Sequence, residues 1–178
     1  MTNEKLIIRQ AVSEDLDVLH HVCRKIYAEN FGDHWNEGGL EWYLDAVYGR
    51  DVIRQDLVSP DVRYFLAYLD SVPVGFMKLH LSAAIGDDDP ALSMEIEKLY
   101  FGQQFQRMGI GTSLIAIALD VGRNAGKRIA WLGVIDTNEK AIQFYKKMGF
   151  SLLDKTTLDV PYFKDELRGM WRMVRDVR

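Results

Sequence analysis

The chain has one cysteine, four prolines and four histidines among its 178 residues. A lone thiol forms no internal disulfide, and with no CxxC pair or Cys/His cluster beside it, Cys23 reads as a buried small apolar side chain. His20, His21, His34 and His80 lack ligand spacing, because adjacent residues on a helix do not face one point, so no metal site is expected. No uncharged apolar run is long enough to span a bilayer, and the opening MTNEKLIIRQ lacks the charged-then-apolar layout of a signal peptide. These absences predict a soluble, cytoplasmic protein with no membrane association. Excess basic charge is missing too: 22 Lys and Arg against 26 Asp and Glu leave a net charge of −4. Nucleic-acid binders show a basic face, so a nucleic-acid partner is not expected and a cationic or small neutral one fits better.

What is present suffices for one core. Hydrophobic residues make up 48% of the chain, and the length predicts a single domain over 1–178. KLIIRQAV reads as a first strand, and Ser13 as the N-cap of a helix whose apolar face is Leu16, Leu19, Cys23, Ile26 and Tyr27. A second helical region runs through LEWYLDAVYGRDVIRQDLVS to Pro60. VRYFLAYL and VPVGFMKLHLS are strand-like runs joined at Asp70-Ser71, a hairpin signal. SMEIEKLYF is the next strand, GTSLIAIALDVGRNAG a buried helix ending at Gly126, and KRIAWLGVI an apolar strand of the kind a sheet covers on both faces. NEKAIQFYKKMG is a helix stopped by Gly149, before two closing strands, FSLLDKTTLDV and LRGMWRMVRDV. The order βααβββαβαββ predicts an α/β protein with a mixed sheet.

QRMGIGT, Gln106 to Thr112, stands between a predicted strand and a predicted helix. The first-turn N–H groups of a helix have no acceptor within it, so they point at whatever occupies the loop mouth. Bare Gly109 and Gly111 suit a phosphate brought against the backbone, or equally a tight strand-to-helix turn that binds nothing. A dinucleotide fingerprint needs a third glycine where Leu114 stands, and no GK[ST] supplies a Walker loop, so Rossmann and NTPase readings fall away.

EIEKLYF, QRMGIGT and NEKAIQFYKKMGF, in that order and spacing, resemble three consecutive segments of the GNAT (Gcn5-related) N-acetyltransferases over Glu95 to Phe150. The resemblance implies a mixed, mostly antiparallel central sheet of about seven strands flanked by helices. It also implies acetyl-CoA as co-substrate, its pyrophosphate on the amides of Gln106, Arg107, Met108, Gly109, Ile110, Gly111 and Thr112. The pantetheine arm and thioester carbonyl would pair with the strand at Leu99, Tyr100 and Phe101, an N–H near Tyr100 polarising the carbonyl. LSMEIEKLYF, IAWLGVIDTNEKAIQFYKKMGF and the early YAENFGDHW…EWYLDAVY block are similar, more finely, to the bacterial Pai-type spermidine/spermine N-acetyltransferases. A homodimer is common among such folds.

Acetyl transfer to an alkylamine needs a base. With a pKa near that of lysine, only about one amine in 2,500 is neutral at pH 7, a deficit of about 4.6 kcal/mol. Glu95 and Glu97, two apart on a predicted strand, share a face, and either could take the proton directly or through water. Relatives divide between the two positions, with Glu97 slightly preferred here. Both could instead be solvated or paired with Lys98 or Lys78. Tyr145 matches the family's general acid toward the CoA sulfur, with Phe144 expected to be the packed ring. Asn138 is either an N-cap or, by family position, a partner of the CoA arm. Where the family builds its acceptor site, Glu29, Asp33, Glu37, Glu41 and Asp45 could hold the cationic nitrogens of a polyamine, or form an ordinary solvated face. Trp35 and Trp42 either line that groove or pack in the core. Other small amines, protein N-termini and lysines remain as acceptors, and so does a non-catalytic acyl-CoA-binding module on the same fold.

Overall fold

A computed structural model describes residues 5–177; residues 1–4 of the N-terminal stretch read above, and Arg178, lie outside it. The two runs rich in β-branched and aromatic residues form β2 (Val62–Leu69) and β3 (Val72–His80). Asp70 and Ser71 between them take φ of 45° and 71°, the left-handed pair that matches a two-residue hairpin to strand twist. Around this hairpin lie β1 (Leu6–Gln10), β4 (Ser93–Phe101), β5 (Ile129–Ile135), β6 (Ser151–Thr157) and β7 (Gly169–Asp176) in one sheet of order β1-β2-β3-β4-β5-β7-β6. Only β4 and β5 run parallel; every other pairing is antiparallel. This is the seven-stranded, mostly antiparallel sheet that the resemblance implied.

Helices cover both faces. α4 (Ile110–Asn124) and α5 (Glu139–Lys147) close one core with Met77, Met94, Ile96, Leu114, Ala118 and Leu132. α1 (Leu16–Phe31), α2 (Gly39–Tyr48) and α3 (Arg50–Val58) close the other with Leu19, Ile26, Tyr48, Ile53, Leu66 and Phe76. Phe76 and Met77, adjacent on β3, fall into opposite cores because strand side chains alternate faces. Cys23 is buried among the second set. Gly126 and Gly149, at φ 71° and 84°, follow α4 and α5 as left-handed stops.

Two local expectations change. The second helical region is two helices, broken at Gly49, whose extended backbone (φ −62°, ψ 149°) ends α2 and caps α3. A Cβ there would lie 2.5 Å from the Asp45 carbonyl oxygen, so only glycine fits the corner. Ser13 is not the N-cap of α1 but the first residue of a short 3-10 turn, Ser13–Asp15. Asp15 occupies the N-cap position of α1 without a side-chain bond into that helix; its carboxylate accepts the Val12 N–H at 2.9 Å, closing the 3-10 turn, and both Arg9 terminal nitrogens at 2.7 Å. Among the described residues no helix is long and apolar enough to cross a membrane.

Asp15→Asn is expected to cost about 1–2 kcal/mol at neutral pH through the lost charged pair with Arg9. The Arg9 hydrogen bond holds the Asp15 carboxyl below the usual carboxylate range. Its contribution is therefore complete above the ordinary carboxylate value and lost as pH falls through the lowered one. Urea unfolding should show the variant's deficit at pH 7 closing in acid.

Candidate active site

The parallel strands β4 and β5 pair only at Ser93–Ile129, Met94–Ala130 and Glu95–Trp131. Beyond Glu95, β4 stays registered on β3, and β5 follows β7 through Ile135–Met170. The sheet is split there. From Ile96 to Phe101, the β4 edge that faces the split presents backbone groups with no ladder partner on that side, a place where an extended ligand can pair as a strand would. The far end of β4 is held by α1, since Asn30 Nδ2 donates to the Phe101 carbonyl at 3.2 Å and to the Ile26 carbonyl at 2.8 Å.

The loop at the mouth of this split leads straight into α4. Gly109, at φ 80°, is its left-handed N-cap, and Arg107 also takes φ 68°, a strained value for a side-chain-bearing residue. Ser113 N–H is the first amide to bond back, to the Gly109 carbonyl at 3.0 Å. The N–H groups of Ile110, Gly111 and Thr112 precede it and have no acceptor within the helix. With Gln106, Arg107, Met108 and Thr112 exposed around them, they form a cradle suited to an anion. The two glycines serve different ends. A Cβ on Gly109 would meet nothing within 4 Å, so its backbone angle demands glycine; one on Gly111 would lie 3.0 Å from Phe144 Cζ and 3.3 Å from Phe101 Cε1.

Glu95 and Glu97 lie on the α1–α3 face of β4, in unequal surroundings. Lys78 pairs with Lys98 and Leu79 with Ile96, so Glu97 is the extra residue of a bulge. His80 Nε2 lies 2.5 Å from Glu97 Oε2, Lys78 Nζ 3.1 Å from the same oxygen, and Lys98 Nζ 3.1 Å from Oε1. Burial alone would raise the Glu97 pKa, but Lys98, the His80 hydrogen bond and Lys78 outweigh it and hold the carboxyl far below the carboxylate range. Glu95 goes the other way: burial, then the charge of Glu97, push it above the usual value. The ion pairs that sequence left open for both residues engage Glu97. A carboxylate so clamped takes up a proton poorly, whereas the raised carboxyl of Glu95 takes one up more readily.

Tyr145, on α5, packs against the α4–α5 core, where burial pushes its phenol up to about 12. Tyr100 packs on the opposite face, where burial raises its phenol well above the usual value. Phe144 and Tyr145 are both partly buried, with ring centroids 5.2 Å apart, so the packing is shared rather than left to Phe144. Asn138 is the N-cap of α5, its Oδ1 accepting the Ala141 N–H at 3.2 Å.

The acidic residues put forward for the acceptor are all exposed. Glu41 and Asp45 are exposed partners of Arg24, at 3.3 and 2.6 Å. Glu29 lies 4.0 Å from Lys25, and Asp33 and Glu37 are exposed. Trp35 is a core residue, its ring edge-on to Phe163 at 5.0 Å; Trp42 is 39% exposed. Beside the two glutamates the structure assembles a set that sequence reasoning did not: His80 from β3 at Glu97, Tyr43 from α2 with Lys98 over its ring at 5.8 Å, and Asp56 from α3, 2.8 Å from Lys78. The β3–β4 register and the packing of α2 and α3 against it join them, and no local spacing announces it.

Residues 21–150 match the family model described as Acetyltransferase (GNAT) family. An uncharacterised N-acetyltransferase from the pepI 3' region of Lactobacillus delbrueckii subsp. lactis is 27% identical over 85% of this chain and 86% of its own. A thialysine N-epsilon-acetyltransferase of Caenorhabditis elegans is 28% identical over 58% of this chain and 63% of its own. Among solved structures, PaiA N-acetyltransferase from Thermoplasma acidophilum, crystallised with coenzyme A, aligns with a TM-score of 0.76 at 22% identity, covering 97% of this chain and 99% of that one. At that identity it supports the fold.

The two glycines can be separated by experiment. Gly109→Ala is expected to cost about 1–2 kcal/mol through backbone strain, and Gly111→Ala to destabilise by pressing on Phe144. In denaturant unfolding, Phe144→Leu should relieve the Gly111→Ala penalty and leave that of Gly109→Ala unchanged.

Proposed function

The chain belongs to the GNAT acetyltransferase family and is an N-acetyltransferase, and from that premise we propose that it moves an acetyl group from acetyl-CoA directly to a primary alkylamine, a polyamine foremost. One observation carries the reading: β4 and β5 part after Glu95, opening a backbone edge between a helix-terminal anion cradle and a pair of chemically distinct side chains. The coenzyme A held by the Thermoplasma PaiA protein fits this feature in kind. Amides 110–112 suit its phosphates, the free edge of β4 suits its extended arm, and Asn138 stands at the first turn of α5 beside the split. Acetyl-CoA supplies an activated acyl group and a thiolate leaving group.

The chain's own groups handle the protons. Glu95, its carboxyl raised by burial, takes the proton that keeps the acceptor cationic. The neutral nitrogen attacks the thioester carbon, the C–N bond forms and the C–S bond breaks. The Tyr145 phenol gives its proton to sulfur, and the second nitrogen proton restores the phenol through solvent, one proton being released overall. Burial keeps Tyr145 neutral, hence a donor, throughout the neutral range. An N–H of the exposed edge near Tyr100 is placed to receive the developing negative charge on the carbonyl oxygen.

Three features support a polyamine: the net charge of −4, the exposed Glu29, Asp33 and Glu37 around the end of α1, and the resemblance of LSMEIEKLYF and IAWLGVIDTNEKAIQFYKKMGF to the Pai-type spermidine/spermine N-acetyltransferases. A second reading, an amino acid with an aminoalkyl side chain, is favoured by the thialysine N-epsilon-acetyltransferase relative and by the neutralisation of Glu41 and Asp45 by Arg24.

Glu95→Gln is expected to lower kcat by about 10²–10⁴ with coenzyme A affinity retained, and Tyr145→Phe to slow the chemical step with the same affinity; steady-state kinetics and calorimetry check both, and wild-type turnover in either variant removes that residue's role. Free-CoA release across spermidine, spermine, thialysine and a simple monoamine decides the acceptor. Spermidine should have the highest kcat/KM; a preference for thialysine selects the second reading, and no preference over the monoamine rejects both.

A further inference from the structure

Glu97 is the most heavily engaged carboxylate on the acceptor face, and proton removal by Glu95 gives it no direct part. It occupies a bulge, where an extra residue turns its side chain into a cluster of cations. Lys78 is 6% exposed and pairs with Asp56 of α3 at 2.8 Å as well as with Glu97; Asp56 also accepts the Tyr64 hydroxyl at 2.9 Å. Lys98, beneath Tyr43 of α2, pairs with the other Glu97 oxygen. His80 of β3 bonds to Glu97 and is also the backbone register partner of Glu95.

The groups that bear on Glu95 are His80 and Lys78 from β3 and Glu97 and Lys98 from its own strand, while its β5 register partner, Trp131, carries no charge. Three of these four are cations or become so on protonation. Left without a counterion, each would stabilise the ionised form of Glu95 and weaken it as a proton acceptor.

We propose that Glu97 is a positioning residue: by engaging Lys78, His80 and Lys98 together it keeps their charge from Glu95 and so preserves Glu95 as the group that accepts the amine's proton. The assignment rests on the acetyl-transfer reading above with Glu95 as base. A half-buried anion touching three donors is held by geometry, and the bulge puts it within reach of Lys78 and His80 on β3 and of Lys98 on its own strand. Its directions agree, since the charge of Glu97 raises Glu95 while His80, Lys98 and Lys78 lower it.

The test is the single-turnover rate of acetyl transfer to spermidine as a function of pH. Glu97→Gln is expected to move the acid limb to lower pH, because Glu95 then ionises more readily, with a plateau loss smaller than about tenfold. Glu97→Asp, which keeps the charge, is expected to restore the wild-type limb. Lys98→Met is expected to move it the opposite way, to higher pH, and serves alone should Glu97→Gln fail to fold. A pH-independent loss of about 10²–10⁴ in Glu97→Gln would make Glu97 the base and overturn the proposal. So would an acid limb unmoved in both Glu97→Gln and Lys98→Met, which would leave Glu97 a structural ion pair. Glu95→Gln separates the premise from the proposal: if it keeps both rate and acid limb, Glu95 is not the base, whatever Glu97 does.

Discussion

The parting of β4 from β5 after three paired residues is the constraint on which the rest of the site depends. Unpaired main-chain groups are costly in a buried sheet, so an edge that stops pairing must meet water or a ligand. Each strand is stabilised elsewhere. β4 is laced to β3 along its length and tied to α1 through Asn30, while β5 keeps β7 through Ile135. The split is thereby a rigid feature with fixed walls, which suits a site that must hold a thioester in one orientation.

The same split lets the two faces of the sheet cooperate. Glu95 stands on the face covered by α1–α3, and Tyr145 packs against the core beneath α4 and α5. In an unbroken sheet a layer of backbone would separate them. Here the backbone layer is open beyond Glu95, so a base and an acid can address one reacting centre from opposite sides. That arrangement keeps the proton acceptor for the amine away from the proton donor for sulfur. Direct transfer between the two carboxyl and phenol groups would short-circuit both roles.

Much of this was legible in the residues. Alternating apolar runs, the Asp70-Ser71 hairpin and the stops at Gly126 and Gly149 follow from local rules, and the structure repeats them. The cradle amides follow from a strand, a loop and a helix in sequence. Other features are not local. Gly49 reads as one glycine inside an amphipathic run, and only the Asp45 carbonyl crowding its α-carbon shows that a corner must form there. Spacing puts Glu95 and Glu97 on one face as equals; a bulge set by pairing with β3 makes one a clamp and leaves the other raised. Acidic residues near α2 suggest a cation groove until Arg24, on α1, is found between Glu41 and Asp45. Each of these turns on a partner supplied by another element, which a one-dimensional pattern does not contain.

The charged floor of the acceptor face repeats this logic at higher energy. An ammonium as buried as Lys78 is tolerable only with close counterions, because desolvation costs several kcal/mol per ion and one missing partner leaves the other charge uncompensated. An apolar pair would fill the same volume with less penalty, so mere packing gives no reason for ions here. A reason exists if the cluster sets the proton affinity of the one carboxylate beside it. Glu95 is then raised by burial and by a neighbouring anion whose own charge is held in place, and the field at the base is fixed before any amine arrives. Such preorganisation costs stability in the resting protein and removes reorganisation from the chemical step.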